Sequence, residues 1–103
     1  MPIWKIAPVS DAPEVTLSHW QIRELPNRNR HFVGSDVTDG TGRVSTFIVE
    51  FDVETMRGRT NSRRVYHLRG KTGWSGNGEY IWSRWAPPNN ATEFVDVSNS
   101  IVT

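Results

Sequence analysis

The sequence predicts an α+β domain: a four-stranded antiparallel meander, one short helix between strands four and five, and a closing C-terminal strand. Three observations predict it. Apolar residues alternate with polar ones in four stretches between residues 14 and 68, the pattern of half-buried strands. Turn-forming residues separate the stretches, at Pro26-Asn27-Arg28-Asn29, Thr38-Asp39-Gly40 and Glu54-Thr55-Met56-Arg57-Gly58. Only residues 79–86 carry a convincing helical stripe, Ile81 and Trp85 at i, i+4, and Pro87-Pro88 stops it.

Residues 1–13 hold Pro2, Pro8 and Pro13, half of the prolines. Each proline blocks a ladder donor or a helix bond, so this stretch reads as an irregular arm with Ile3, Trp4 and Ile6 laid across the domain. Over residues 14–25, Val15 alternates with Leu17 and Trp20 with Ile22, but the phase slips by one residue near Ser18-His19. A β-bulge in a strand accounts for the slip. A short helix is the competitor, because Leu17, Trp20 and Leu25 approximate helical spacing.

The second strand is read over 30–37, and Asp39-Gly40 signals a hairpin into the third. That third strand, 43–53, is the clearest element: Phe47, Val49, Phe51 and Val53 share one face, and Val44 and Ile48 the other, as in a central strand. The fourth, 59–68, is nearly all polar in its first half, which predicts an exposed ribbon projecting past the core. A glycine-rich loop over 70–78 leads into the helix, with Asn77 as its N-cap and Glu79 in its first turn. Trp20, Trp82 and Trp85 are expected between helix and sheet, since large aromatics dominate small cores. A last strand over 92–98 closes a single domain of residues 14–98, and 99–103 is a tail.

At 103 residues the chain suits one domain. The absence of cysteine excludes a disulfide framework, thiolate zinc and thiol catalysis. Twelve basic against eleven acidic side chains leave a net charge of +1, too little for a whole-molecule field toward nucleic acid or membranes. The prolines of the first eight residues interrupt any signal-like apolar run, and no stretch approaches the roughly 20 apolar residues of a membrane span. A cytoplasmic location without membrane contact is the expectation.

Chemistry concentrates between residues 57 and 71, where Arg57, Arg59, Arg63, Arg64, Arg69 and Lys71 occur with no acid among them. Arginine forks grip phosphate or carboxylate bidentately. Such a ribbon suits an acidic protein partner, or a phosphate backbone with Trp74 stacking a base. The bland alternative is a solvated strand face paired with Glu50, Asp52 and Glu54. Trp74, in the glycine-rich loop, is either a folded-back plug or an exposed anchor. Gly70-Lys71-Thr72 resembles the end of a phosphate-binding loop, but Val65 stands where that pattern needs glycine. His19, His31 and His67 have no metal-ligand spacing, and no nucleophile motif is present. No cofactor, metal or catalytic residue is expected.

The strings Arg30-His31-Phe32-Val33-Gly34, Gly42-Arg43-Val44-Ser45, Ile48-Val49-Glu50-Phe51-Asp52, Arg64-Val65-Tyr66-His67-Leu68-Arg69-Gly70 and Tyr80-Ile81-Trp82-Ser83-Arg84-Trp85 carry a resemblance over about residues 20–98. The chain resembles a group of short proteobacterial proteins borne on plasmids, prophages and integrative elements, a group with no established activity. Arg63-Arg64 departs from the small residue usual there before Val-Tyr. The resemblance implies an accessory role on a mobile element and supplies no functional residues. Together these readings predict a non-enzymatic binding module that docks on a protein through the Arg-rich ribbon and Trp74, with nucleic-acid binding through 57–71 as the alternative.

Overall fold

The computed structural model describes the backbone of residues 14–102 and the side chains of 14–100; the expected arm over 1–13 lies outside the described residues. In chain order the strands are β1 (Glu14–Glu24), β2 (Arg30–Asp36), β3 (Gly42–Val44), β4 (Ile48–Asp52), β5 (Arg57–Thr60), β6 (Val65–Leu68) and β7 (Val95–Asp96). Helix α1 (Gly76–Trp85) lies between β6 and β7, and α2 (Ser98–Val102) occupies the expected tail. One mixed sheet takes the order β3-β2-β1-β6-β5-β4, and β7 pairs with the far end of β1.

This is an α+β domain, but not the meander expected. β1 and β6 run parallel, joining Glu14–Leu17 to Val65–Leu68. The single strand expected over 43–53 is two strands at opposite ends of the sheet order. Ser45 makes the break: its N–H donates to Phe32 O at 2.9 Å, and its hydroxyl accepts from Phe32 N at 2.8 Å while donating to Thr46 O at 2.6 Å. Two residues later Phe47 O accepts from Asn61 N, so the chain has exchanged β2 for the β5 side. Six strands laid flat would separate the outer two by about 24 Å. The four peptide steps from Val44 to Ile48 reach at most about 15 Å. The sheet therefore curls, bringing β4 round toward β2, with the Phe32 and Phe51 rings 5.9 Å apart.

The fourth strand expected over 59–68 is likewise two strands, β5 and β6, in a hairpin whose turn carries Arg63 at φ +74°. Arginine gives no signal for a left-handed position that glycine or asparagine usually fills. β5 is not an exposed ribbon either. Arg57 and Arg59 face outward, but Gly58 and Thr60 are buried, and a Cβ on Gly58 would lie 2.5 Å from the Phe32 ring. Of the closing strand expected over 92–98, only Val95 and Asp96 pair.

The bulge in β1 lies where the phase slips. Register shifts between Ser18 and Gln21, and His19 takes φ +51°. The extra residue returns Trp20 and Ile22 to the face of Val15 and Leu17, and all four join Phe32, Tyr66 and Leu68 inside the curl. Trp20 is thus on the opposite side of the sheet from the helix, contrary to expectation. Trp82 and Trp85 do lie between helix and sheet, with Val33, Leu25, Ala86 and Ala91.

Helix α1 starts earlier than its apolar stripe suggests. Ser75 is the N-cap, its hydroxyl accepting from Gly78 N at 2.8 Å, while Asn77 reaches out to Gly40 O at 2.7 Å. Gly76 and Gly78 are poor helix formers, but Gly78 lies where the helix meets β2, and a Cβ there would touch Gly34 O at 3.0 Å. Packing, not propensity, sets that first turn.

Beneath α1, His31 is buried with Trp85 edge-on at 4.9 Å and Trp82 at 6.3 Å. Its Nδ1 lies 2.9 Å from Ser45 O, an acceptor, so Nδ1 holds the ring proton. Desolvation lowers the His31 pKa below 6.5, partly opposed by the Ser45 bond. The unfolded chain therefore binds a proton first as pH falls through 6.5, and the native state loses stability below that point. Urea titrations between pH 7.5 and 5 should show this slope in the native protein and a shallower one in His31→Asn. Equal slopes would assign the acid sensitivity to other groups.

Candidate docking surface

The loop over 69–74 is held in place by the β1 bulge. Arg69 N donates to Leu17 O at 2.9 Å. Beyond it, Trp20 O accepts from Gly73 N at 3.0 Å and from the Thr72 hydroxyl at 2.7 Å, and the Trp20 indole donates to Gly70 O at 3.2 Å. A buried indole and the backbone of a bulge thus fix both ends of a glycine-rich segment. Bulges recur where a strand must redirect a neighbouring group.

Trp74 follows at once, 63% exposed, immediately before the Ser75 cap. The indole is exposed and is not folded back as a plug. Arg69 and Lys71 are exposed on the same loop, and no carboxylate among the described residues lies within ion-pair range of either. The loop therefore presents one large aromatic and two cations that no described carboxylate pairs, on a backbone held by hydrogen bonds.

The remaining sequence-predicted residues are dispersed. Arg59 pairs with Glu50 at 3.2 Å, and Arg57 stands opposite Asp52 in the β4–β5 register. These are the cross-strand pairings that the bland reading of the sequence requires. Arg63 is exposed at the hairpin turn. Arg64 is 6% exposed and makes an interaction of its own, so it is removed from the surface set. His67 Nε2 meets Glu14 Oε1 at 2.6 Å beside Arg57, its partner across β5 and β6. An open hollow of ≈540 Å³ lies over this face, lined by Glu14, Glu50 and Asp52 as well as Arg57 and Arg59. Alternating signs make it a poor track for a phosphate backbone.

One charged residue escaped the sequence reading. Arg23 is buried between β1 and α1, its guanidinium bonded to Gln21 Oε1 at 2.7 Å and to Glu79 Oε1 at 2.5 Å, and lying 4.9 Å from the Trp82 ring centre and 4.4 Å from that of Phe94. Its position in the strand alternation, between buried Ile22 and half-buried Glu24, gives no sign of burial. Among the described residues no group of three or more His, Asp or Glu is placed to hold a metal ion, and no helix is long and apolar enough to cross a membrane.

The fold and this surface define a small α+β domain with a curled mixed sheet and a pinned aromatic–basic loop. No protein-family model, curated protein or solved structure matches the chain.

Proposed function

We propose that the protein is a non-enzymatic binding module that docks on an acidic protein surface through Trp74, with Arg69 and Lys71 beside it. The observation that carries this reading is the 63% exposed indole on a loop tied to Trp20 by three hydrogen bonds. Tryptophan and arginine dominate interface energetics, and a loop ordered before contact loses little entropy on binding. Arg57 and Arg63 add long-range attraction more than contact energy. The accessory role on a mobile element belongs to the same proposal and rests on the resemblance alone.

The test is partner capture with the intact chain, Trp74→Ala and the double variant Arg69→Glu, Lys71→Glu. Each change should weaken binding by at least about 30-fold, equivalent to about 2 kcal/mol. The exposed positions should leave stability within about 0.5 kcal/mol of the parent. Undiminished capture by both variants rejects this surface, and unfolding of both reassigns the residues to structure. A parallel fluorescence titration with single- and double-stranded oligonucleotides covers the alternative. Saturable quenching at low salt that fades at physiological salt would favour phosphate contact by the same loop.

A further inference from the structure

β4 ends the strand order and, among the described residues, pairs along one edge only, with β5, in a ladder whose register shifts between Ile48 and Glu50. In a ladder of this kind alternate residues turn their N–H and C=O away from the paired strand. Among the described residues, 48–52 make no backbone bond beyond the β5 ladder. The curl carries this unpaired edge toward the first residues of β2, where Ser45 already holds both backbone groups of Phe32 and the β3 ladder covers only Val33 to Ser35. A seam is left between them, a groove of ≈430 Å³. β4 and its continuation contribute Val49, Phe51 and Val53 together with Glu50, which Arg59 holds at 3.2 Å, the β1–β2 turn contributes Arg28, and the start of β2 contributes Arg30.

Val49 and Val53 are each 44% exposed. Aliphatic side chains beside an unpaired strand edge invite another strand, and proteins usually blunt such an edge. Here the blunting is partial, a bulge between Ile48 and Glu50 and the acids Glu50 and Asp52. An antiparallel second copy centred on Phe51 would set Glu50 against Asp52 twice, and one centred on Glu50 would set Glu50 against itself. Like charges directly opposite destabilise a strand pair, so these two registers disfavour a second copy, whereas one centred on Val49 sets Glu50 against Ile48 and Asp52 against Thr46. The opposite wall attracts acids: Arg30 and Arg28 share the single carboxylate of Glu24, at 2.8 and 3.9 Å, which leaves one positive charge in excess. Arg28 holds φ +77° at the turn with its side chain 86% exposed.

The geometry points to the free edge of β4 as a strand-addition site, taking into the seam an extended segment of a partner protein with alternating aliphatic residues and a carboxylate facing Arg28 and Arg30. Main-chain bonds to the edge supply affinity, and the exposed Val49 and Val53 with the two guanidiniums supply selection. This surface shares no residue with the Trp74 loop and stands or falls independently of it.

The probes are octapeptides of alternating Val and Thr bearing Asp-Asp at the N-terminus in one and at the C-terminus in the other, with Lys-Lys counterparts. Backbone amide shifts and amide exchange of the full chain are followed during titration. One Asp-Asp peptide should saturate, slow exchange at residues 48–52, and outbind its Lys-Lys counterpart by about tenfold or more. Arg28→Ala with Arg30→Ala should remove the preference for Asp-Asp, and Val49→Lys should remove binding, with both folds checked by circular dichroism. Absence of binding, equal binding of both charge types, or shifts confined to other residues would overturn the assignment. So would a concentration-dependent dimer abolished by Val49→Lys, which would make a second copy the occupant.

Discussion

Gly42→Ala should cost about 3 kcal/mol or more, among the largest losses available to a single methyl group in this protein. A Cβ at Gly42 would lie 2.0 Å from Asn77 O, 2.3 Å from Asn77 C and 2.7 Å from Gly78 N. All three atoms belong to the backbone of the first turn of α1, so no side-chain rotation relieves the overlap. Relief means lifting the helix start away from β3. That motion strains the Ser35–Ser75 hydroxyl bond at 2.5 Å, the Asn77–Gly40 bond at 2.7 Å and the Gly34–Gly78 contact together. For a domain of about 100 residues the melting temperature should fall by about 12 °C or more. Gly40→Ala is the control. Gly40 has φ +77° but open space around it, so only the backbone preference is lost, about 1 kcal/mol. Thermal and urea unfolding of the two variants decide the matter, and equal losses would reject a close helix–strand junction.

Glu79→Gln should destabilise by about 3 kcal/mol, because it strands a buried cation. The Arg23 side chain is 4% exposed, and among the described residues its Nη1 has no hydrogen-bond partner and Glu79 supplies the only carboxylate within ion-pair range. Removing one member of a buried pair costs more than the pair contributes, since the remaining charge cannot recover its hydration. Glu79 itself is 38% exposed and partly screened by water, which places the loss at the low end of the range for buried pairs. Combining Glu79→Gln with Arg23→Met should restore most of the stability. The thioether chain would fill the space beside Trp82 and Phe94 without a charge to compensate. A double-mutant cycle by urea denaturation tests this. Additive losses would show that the two side chains are not coupled.

The bulge in β1 was legible because one extra residue shifts every later side chain to the other face, and the apolar residues of β1 record that shift at Ser18-His19. The basic cluster was legible as composition, but not as geometry. Arg59 and Arg64 are adjacent to the same run of charge, yet one reaches Glu50 at the surface and the other is buried. Period-two reasoning assumes that a strand continues, and the left-handed turn at Arg63 ends one where no glycine announces it. Trp74 lay between two readings for a similar reason: its exposure depends on Trp20, fifty-four positions earlier, holding the loop before it.

Local chemistry alone determined which segments extend, where proline ends the helix, and where Asp39-Gly40 returns the chain, because those preferences belong to a few neighbouring dihedrals. The partner of each strand belonged to the tertiary structure. Residues 43–53 read as one strand because Phe47, Val49, Phe51 and Val53 alternate, yet the chain changes sheet edge at the polar pair Ser45-Thr46, because Ser45 satisfies Phe32 and the next residues find β5. Likewise β1 pairs in parallel with β6, each residue with one fifty-one positions later. Strand alternation records which face is buried and carries no record of which neighbour supplies the hydrogen bonds. Only closure of the curl decides that, and with it the open seam and the pinned loop.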